Sequence, residues 1–190
     1  MLYTRKGDKG TSKLFDCKEG ERIGKDAFVF EVLGSLDELN SSLGFARALS
    51  HKESVYIHIE NKKNSFESIL ESFQNILFSI QAEIGGSDIH PKEEHIVFLE
   101  NVIYEIELLI PPVKSFVVSG GSLSGAYLDV ARTIARRTER HVIMLRNKKE
   151  RIVSDTSVVF LNRLSSALYA MARLANYALG HTETGPKYSV

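Results

Sequence analysis

Tryptophan is absent from the 190 residues, cysteine occurs once and proline four times. With Cys17 alone there is no internal disulfide, and neither a CxxC nor a zinc-knuckle spacing exists. Neither sign of charge is in excess, since 24 Lys and Arg balance 24 Asp and Glu. Nothing global therefore favours nucleic acid or an anionic membrane as partner. No apolar run approaches the roughly 20 residues of a membrane span. The amino terminus, Met1 to Asp8, lacks the apolar core of a secretory signal. These absences lead us to expect a cytoplasmic protein, with residues 1–190 forming one domain around one core.

What the chain does have is helical periodicity. Val32, Leu36, Leu39, Leu43 and Ala46 make a heptad-like seam in a helix over about 29–49. Phe66, Ile69, Phe73, Ile76, Ile80 and Ile84 do the same over 65–84, closed by Gly85-Gly86. Pro91 suits a first helical position for a third helix through Ile96, Leu99, Ile103 and Ile106, which Pro111-Pro112 stops. A fourth follows Gly120-Gly121-Ser122 and ends near Asn147, and a fifth covers 155–179 with Leu161, Leu164, Leu168, Met171, Ala175 and Ala178 in its seam. Residues 50–64 read as a polar connector with room for some helix. The expected fold is all-α: a five-helix bundle over 28–180, packed up and down, with an irregular loop over 1–27 and a tail over 181–190. Bundle cores of the di-iron kind need Glu-x-x-His pairs, and none of the six histidines has a glutamate three residues before it.

Two stretches carry chemistry. On a helical wheel the fourth helix places Leu123, Ala126, Tyr127, Val130, Ile134, His141 and Leu145 in an apolar stripe centred near Val130. Arg132, Arg136 and Glu139 share the far side, with Asp129 and Arg140 flanking them. Guanidiniums around one carboxylate on a rigid element can hold a polyphosphate; the alternative is a solvated charged face. The second stretch is Thr4-Arg5-Lys6-Gly7-Asp8-Lys9-Gly10-Thr11-Ser12-Lys13, whose glycines, hydroxyls and cations suit phosphate, although its glycine spacing is not that of a Walker A loop. By composition alone an ordinary mobile terminus is the better reading. Asp37, Glu38 and Asn40 interrupt the first helix as a solvated face or as partners of the arginines. Phe116, before Gly120-Gly121, reads as a core residue by type.

Taken in order, these motifs resemble the ATP:cob(I)alamin adenosyltransferases of the trimeric five-helix-bundle (PduO) type. The resemblance rests on Thr4 to Gly10, Lys25-Asp26, Gly34-Ser35-Leu36-Asp37-Glu38-Leu39-Asn40, Gln74-Asn75-Ile76-Leu77-Phe78, Phe116 before Gly120-Gly121, Arg132 to Arg140, and Leu161-Asn162-Arg163-Leu164-Ser165. Any one piece is weak; the ordered set spans nearly the whole chain.

The resemblance implies transfer of the 5′-deoxyadenosyl group of ATP to cob(I)alamin, giving adenosylcobalamin and triphosphate. It implies ATP held by Thr4, Arg5, Lys6, Gly7, Ser12, Lys13 and Lys25 of one subunit. Arg136, Arg137, Thr138, Glu139, Arg140 and Asn162 of another complete the pocket, with Arg136 and Glu139 central to catalysis. Mg²⁺ would travel with the phosphates rather than on protein side chains. Phe116 would stand on the cobalamin side, excluding the lower axial ligand so that cobalt is four-coordinate. Asp37 and Arg132 would pair across the boundary of a homotrimer. A flavin-type reductase and an adenosylcobalamin-dependent enzyme are the further partners it implies. The sequence departs from the usual pattern at Lys6, Ser119, Thr138 and Ser166. A module that binds ATP and corrinoid to deliver adenosylcobalamin is the alternative reading. A nucleic-acid binder using Arg132 to Arg151 is disfavoured by neutral charge and the lack of interleaved aromatics.

Overall fold

The computed structural model describes residues 3–188; Met1, Leu2, Ser189 and Val190, the ends of the expected loop and tail, lie outside them. Five helices carry the fold: α1 (Phe28–Ser50), α2 (Phe66–Ile84), α3 (Glu93–Leu109), α4 (Leu123–Asn147) and α5 (Asp155–Ala178). Three of them start on a serine whose hydroxyl accepts an orphan backbone N–H. Ser65 takes Ser68 N at 3.1 Å, Ser122 takes Gly125 N at 3.0 Å and Ser154 takes Ser157 N at 3.2 Å. Each such cap stabilises its helix by about 1 kcal/mol. Among the described residues no helix is long and apolar enough to cross a membrane.

α4 is sandwiched between α5 and α1; α1 also packs on α2, and α3 on α5. Phe73 of α2 closes the bundle, edge-on to Phe98 of α3 and Phe160 of α5. The seams expected for α1 and α2 are buried throughout, as is that of α5 up to Ala175, whereas Ala178 is exposed. In α3, Ile96, Leu99 and Ile106 are buried, and Val102 is more deeply buried than Ile103. Pro91 precedes α3 rather than opening it. It is buried, and its carbonyl accepts the Thr156 hydroxyl at 2.8 Å.

Two expectations are corrected. The connector after α1 contains no helix among its described residues but an antiparallel hairpin, paired Tyr56 to Ser65 and Ile59 to Lys62. Glu60 and Asn61 make its two-residue turn with φ of 50° and 63°, as a type I′ turn requires. Val55, Ile57 and Ile59 face inward while Tyr56 and His58 face out, a period of two that marks a half-buried strand. A second, shorter ladder pairs Thr11–Ser12 with Ile23–Gly24.

The other correction concerns the face α4 buries. Leu123 is 75% exposed and Val130 47%, while Leu128, Ala131, Ala135, Thr138, Val142 and Leu145 are fully buried. The inward strip is thus turned about 100° from the expected stripe. Size explains the rotation. A helix held between two others approaches both closely through Ala131 and Ala135, and a wheel weighted by hydropathy undervalues such residues.

Candidate active site

Asp129 fixes the charged face of α4. It is an interior residue, 3% exposed, rather than a flanking surface charge. Its Oδ1 accepts from Arg132 Nε at 3.1 Å, and its Oδ2 from Arg173 Nη2 at 2.6 Å. A buried carboxylate is tolerable on those terms, with both oxygens engaged by guanidiniums. Both arginines also stand over the ring of Tyr169, at 5.9 Å for Arg132 and 4.8 Å for Arg173. The expected partner of Arg132, Asp37, is exposed; within the chain Arg132 pairs with Asp129 instead.

Beyond Arg132 the patch divides. Arg132 and Arg136 open with Ser165, Ser166 and Tyr169 onto a cavity of about 310 Å³ between α3, α4 and α5. Glu139 Oε1 accepts from Asn162 Nδ2 at 2.9 Å, joining α4 to α5 beside it. Arg140 Nη1 donates to the Arg136 carbonyl at 3.0 Å. Arg137 turns the other way and pairs with Glu38 of α1. Thr138, expected among the ATP ligands, has a fully buried side chain, and its hydroxyl donates to the Ser35 carbonyl at 3.0 Å. Asn40 exchanges hydrogen bonds with Gln74 of α2, so it binds helices together and does not answer the arginines.

Phe116 is 82% exposed, not a core residue. It stands in the segment between α3 and α4, in an open cavity of about 530 Å³ that Arg132 and Tyr169 also line. The turn that follows is built on Asn176 of α5, whose Oδ1 accepts from Ser122 N at 2.9 Å and whose Nδ2 donates to the Gly120 carbonyl at 2.8 Å. Gly121 has φ of 104°, and a Cβ there would lie 2.5 Å from Asn176 Oδ1. Glycine is required there on both counts.

The amino-terminal loop is folded on itself. Backbone hydrogen bonds run from Asp8 to Arg5 and from Gly10 to Gly7, with Arg5 at a φ of 60°. Lys25 N donates to the Gly10 carbonyl at 2.8 Å. The Lys25 ammonium lies so near Gly7 that a Cβ on that glycine would meet it at 3.1 Å. Lys25 and Gly7 are thus brought together, with Thr4, Arg5, Lys6 and Lys13 exposed around them and Ser12 in the short ladder. Among the described residues no hydrogen bond or ion pair joins this loop to Arg136, Glu139, Arg140 or Asn162. Sequence reasoning read Asp129 only as a flanking charge and missed Tyr169, Arg173 and Asn176. The readable signal was Arg173, a charge inside the otherwise apolar run from Ala170 to Ala175.

Known proteins resemble this chain over nearly its whole length. A family model described as cobalamin adenosyltransferase matches residues 2–175. The chain belongs to the cobalamin adenosyltransferase family. It is 34% identical over 193 residues to the corrinoid adenosyltransferase MMAB of Mus musculus, covering 96% of this chain and 75% of that protein. Identity to the corrinoid adenosyltransferase of Bacillus subtilis is also 34%, over 94% of this chain and 88% of that one. Among solved structures it matches a variant PduO-type ATP:corrinoid adenosyltransferase from Lactobacillus reuteri complexed with cobalamin and ATP. There the TM-score is 0.84 and the identity 29%, over 100% of this chain and 98% of the other. The helical bundle is therefore that of this adenosyltransferase family, and the chain is an enzyme of it.

Proposed function

We propose that the chain transfers the 5′-deoxyadenosyl group of ATP to cob(I)alamin, with triphosphate as the leaving group. The observation that carries this reading is that two cavities meet at Arg132 and Tyr169, one holding Arg136 and the other Phe116. An anion-binding face and an exposed aromatic therefore open side by side, as the two substrates of such a transfer require. The relatives' names, and the ATP and cobalamin bound in the Lactobacillus reuteri structure, agree with it.

Cobalt(I) is itself the nucleophile. Its electron pair forms the bond to C5′ of the ribose while the C5′–O bond breaks, and triphosphate departs as an anion. No side chain has to act as general base. What the protein supplies is position and charge. Arg136 and Arg140 meet phosphate oxygens with a planar fork that keeps its charge. Glu139, already accepting from Asn162, holds the far wall. Lys25 and the Thr4–Lys13 loop close over the phosphates. Phe116 offers bulk without a lone pair, excluding water and an axial ligand from the lower face of the corrin. Mg²⁺ would accompany the triphosphate, held by phosphate oxygens and water. Reduction of the corrinoid falls to a flavin-type reductase.

The site is shared within a homotrimer, one chain's loop meeting its neighbour's arginines. Two observations support this. Among the described residues no hydrogen bond or ion pair joins loop to patch, and α4 leaves Leu123 and Val130 exposed, with Phe45, itself 51% exposed, edge-on to Tyr127 of the same helix. In this arrangement Asp37 reaches the neighbour's Arg132.

Anaerobic assay with ATP and cob(I)alamin, following loss of the Co(I) absorbance, tests the reading. Arg136→Ala and Glu139→Ala should each lower kcat/KM by about 100-fold or more, the scale of one lost charge-stabilising group. Full activity in both variants would overturn it.

A further inference from the structure

Phe116 sits in a segment with very few anchors. Between Pro111 and Gly121 the described residues give two main-chain hydrogen bonds: Val118 N to the Thr184 carbonyl at 2.9 Å, and the Gly120 carbonyl from Asn176 at 2.8 Å. The stretch from Pro111 to Ser115 instead spans a cavity of about 500 Å³, whose other wall is Gly180 to Glu183. Where the Phe116 ring stands is thus set from one side, by the end of α5 and the residues after it.

The helix end holds the first of those residues, His181 N donating to the Asn176 carbonyl at 2.9 Å, and beyond it one carboxylate secures them. Glu183 Oε1 accepts from Asn176 Nδ2 at 2.8 Å, and the same nitrogen donates to Gly120. The Arg173 Nε lies 2.8 Å from Glu183 Oε1, close enough for an ion pair although not aligned as a hydrogen bond. Arg173 is 2% exposed and its Nη1 has no partner among the described residues, so the guanidinium holds Glu183 chiefly by charge. A charge in so dry a place binds its counter-charge far more strongly than at a surface. One residue further on, the Thr184 carbonyl takes Val118 N, and a Cβ added to Gly185 would come to ordinary contact distance of the Phe116 carbonyl.

We propose that Glu183 is a positioning residue for Phe116. Seated on Asn176 and Arg173, it clamps the 181–185 segment along the 116–120 turn and so sets the height and direction of the ring. It touches neither substrate. The proposal rests on the reading of Phe116 as the group facing the corrin.

The test compares Glu183→Ala, Glu183→Gln and Phe116→Ala in the full chain. Amide hydrogen exchange reads the clamp directly. In Glu183→Ala, exchange at Val118 should rise about tenfold, the size of one lost charge-assisted hydrogen bond. Exchange at the amides of Ala135 and Val142 should stay at the parent value. Glu183→Gln keeps an acceptor for Asn176 and should recover part of the protection. With ATP and cob(II)alamin, electron paramagnetic resonance should show less four-coordinate cobalt in Glu183→Ala. KM for corrinoid should rise about tenfold while KM for ATP moves less than about twofold. Parent-like exchange at Val118 in Glu183→Ala overturns the clamp. So does a parent-like four-coordinate signal in Glu183→Ala when Phe116→Ala has lost it. If Phe116→Ala itself keeps the signal, the reading of Phe116 falls instead, and with it the catalytic part of the proposal.

Discussion

Single side chains divide by what their hydrogen-bonding groups are already doing. Thr138 lies between Arg137 and Glu139, yet its hydroxyl is spent on the Ser35 carbonyl inside the α1–α4 seam. Thr138→Val keeps the shape and removes the second donor to a carbonyl that lies mid-helix in α1. Unfolding in urea should then show a loss of about 1 kcal/mol, with KM for ATP unchanged within about twofold. A large rise in KM for ATP would return Thr138 to the ligands. Glu139 is placed differently. Its bond to Asn162 crosses from α4 to α5 at the rim of the Arg136 cavity, where it stays partly open to solvent. Neighbours in sequence therefore have separate duties, and the pitch of the helix assigns them.

At the scale of the element, α4 depends on small residues. Ala131 and Ala135 let α1 and α5 close on it from two sides, and both are fully buried. Ala135→Leu adds volume where neither neighbour can retreat, and urea unfolding should show a loss of about 1–3 kcal/mol. An unchanged midpoint would mean that α4 packs more loosely than this. The same feature explains which elements could be read from sequence. The seams of α1, α2 and α5 were legible because large apolar residues repeat along one face and the folded chain buries them there. That of α4 was not, because it buries alanines, a threonine and the paired Asp129 while leaving Leu123 and Val130 outside. The hairpin was half legible. Val55 to Ile59 alternate, but the returning strand is Lys62-Lys63-Asn64-Ser65 and has no apolar face to announce itself. Of the proposed site, the ordered motifs pointed to the arginines, Glu139, Asn162 and Phe116. The Asp129–Arg173–Glu183 set joins two helices and the segment beyond them, and no spacing within the sequence encodes such a meeting.

For the whole molecule the decisive question is whether loop and patch belong to different chains. A shared site can be rebuilt by mixing two defective partners. Arg5→Ala disables a loop and Arg136→Ala a patch, and each homotrimer should be inactive. When both are dissociated and reassembled at equal concentration, about a quarter of the heterologous interfaces pair an intact loop with an intact patch. Activity should recover toward that fraction, and sedimentation should report three chains. No recovery in properly reassembled mixed trimers would mean that each chain completes its own site.

The setting of Phe116 also has a consequence in time. Its anchors come late in the chain: Asn176 lies in the last turn of α5, and Glu183 and Thr184 follow that helix. Contacts so distant in sequence cannot form until the intervening helices are in place, since closing that loop earlier costs entropy with nothing to offset it. The arginine helix can therefore be complete while the aromatic is still unplaced. A refolding chain should regain the helical signal of its bundle before it can present a ring to the corrin, and on unfolding it should lose the ring first.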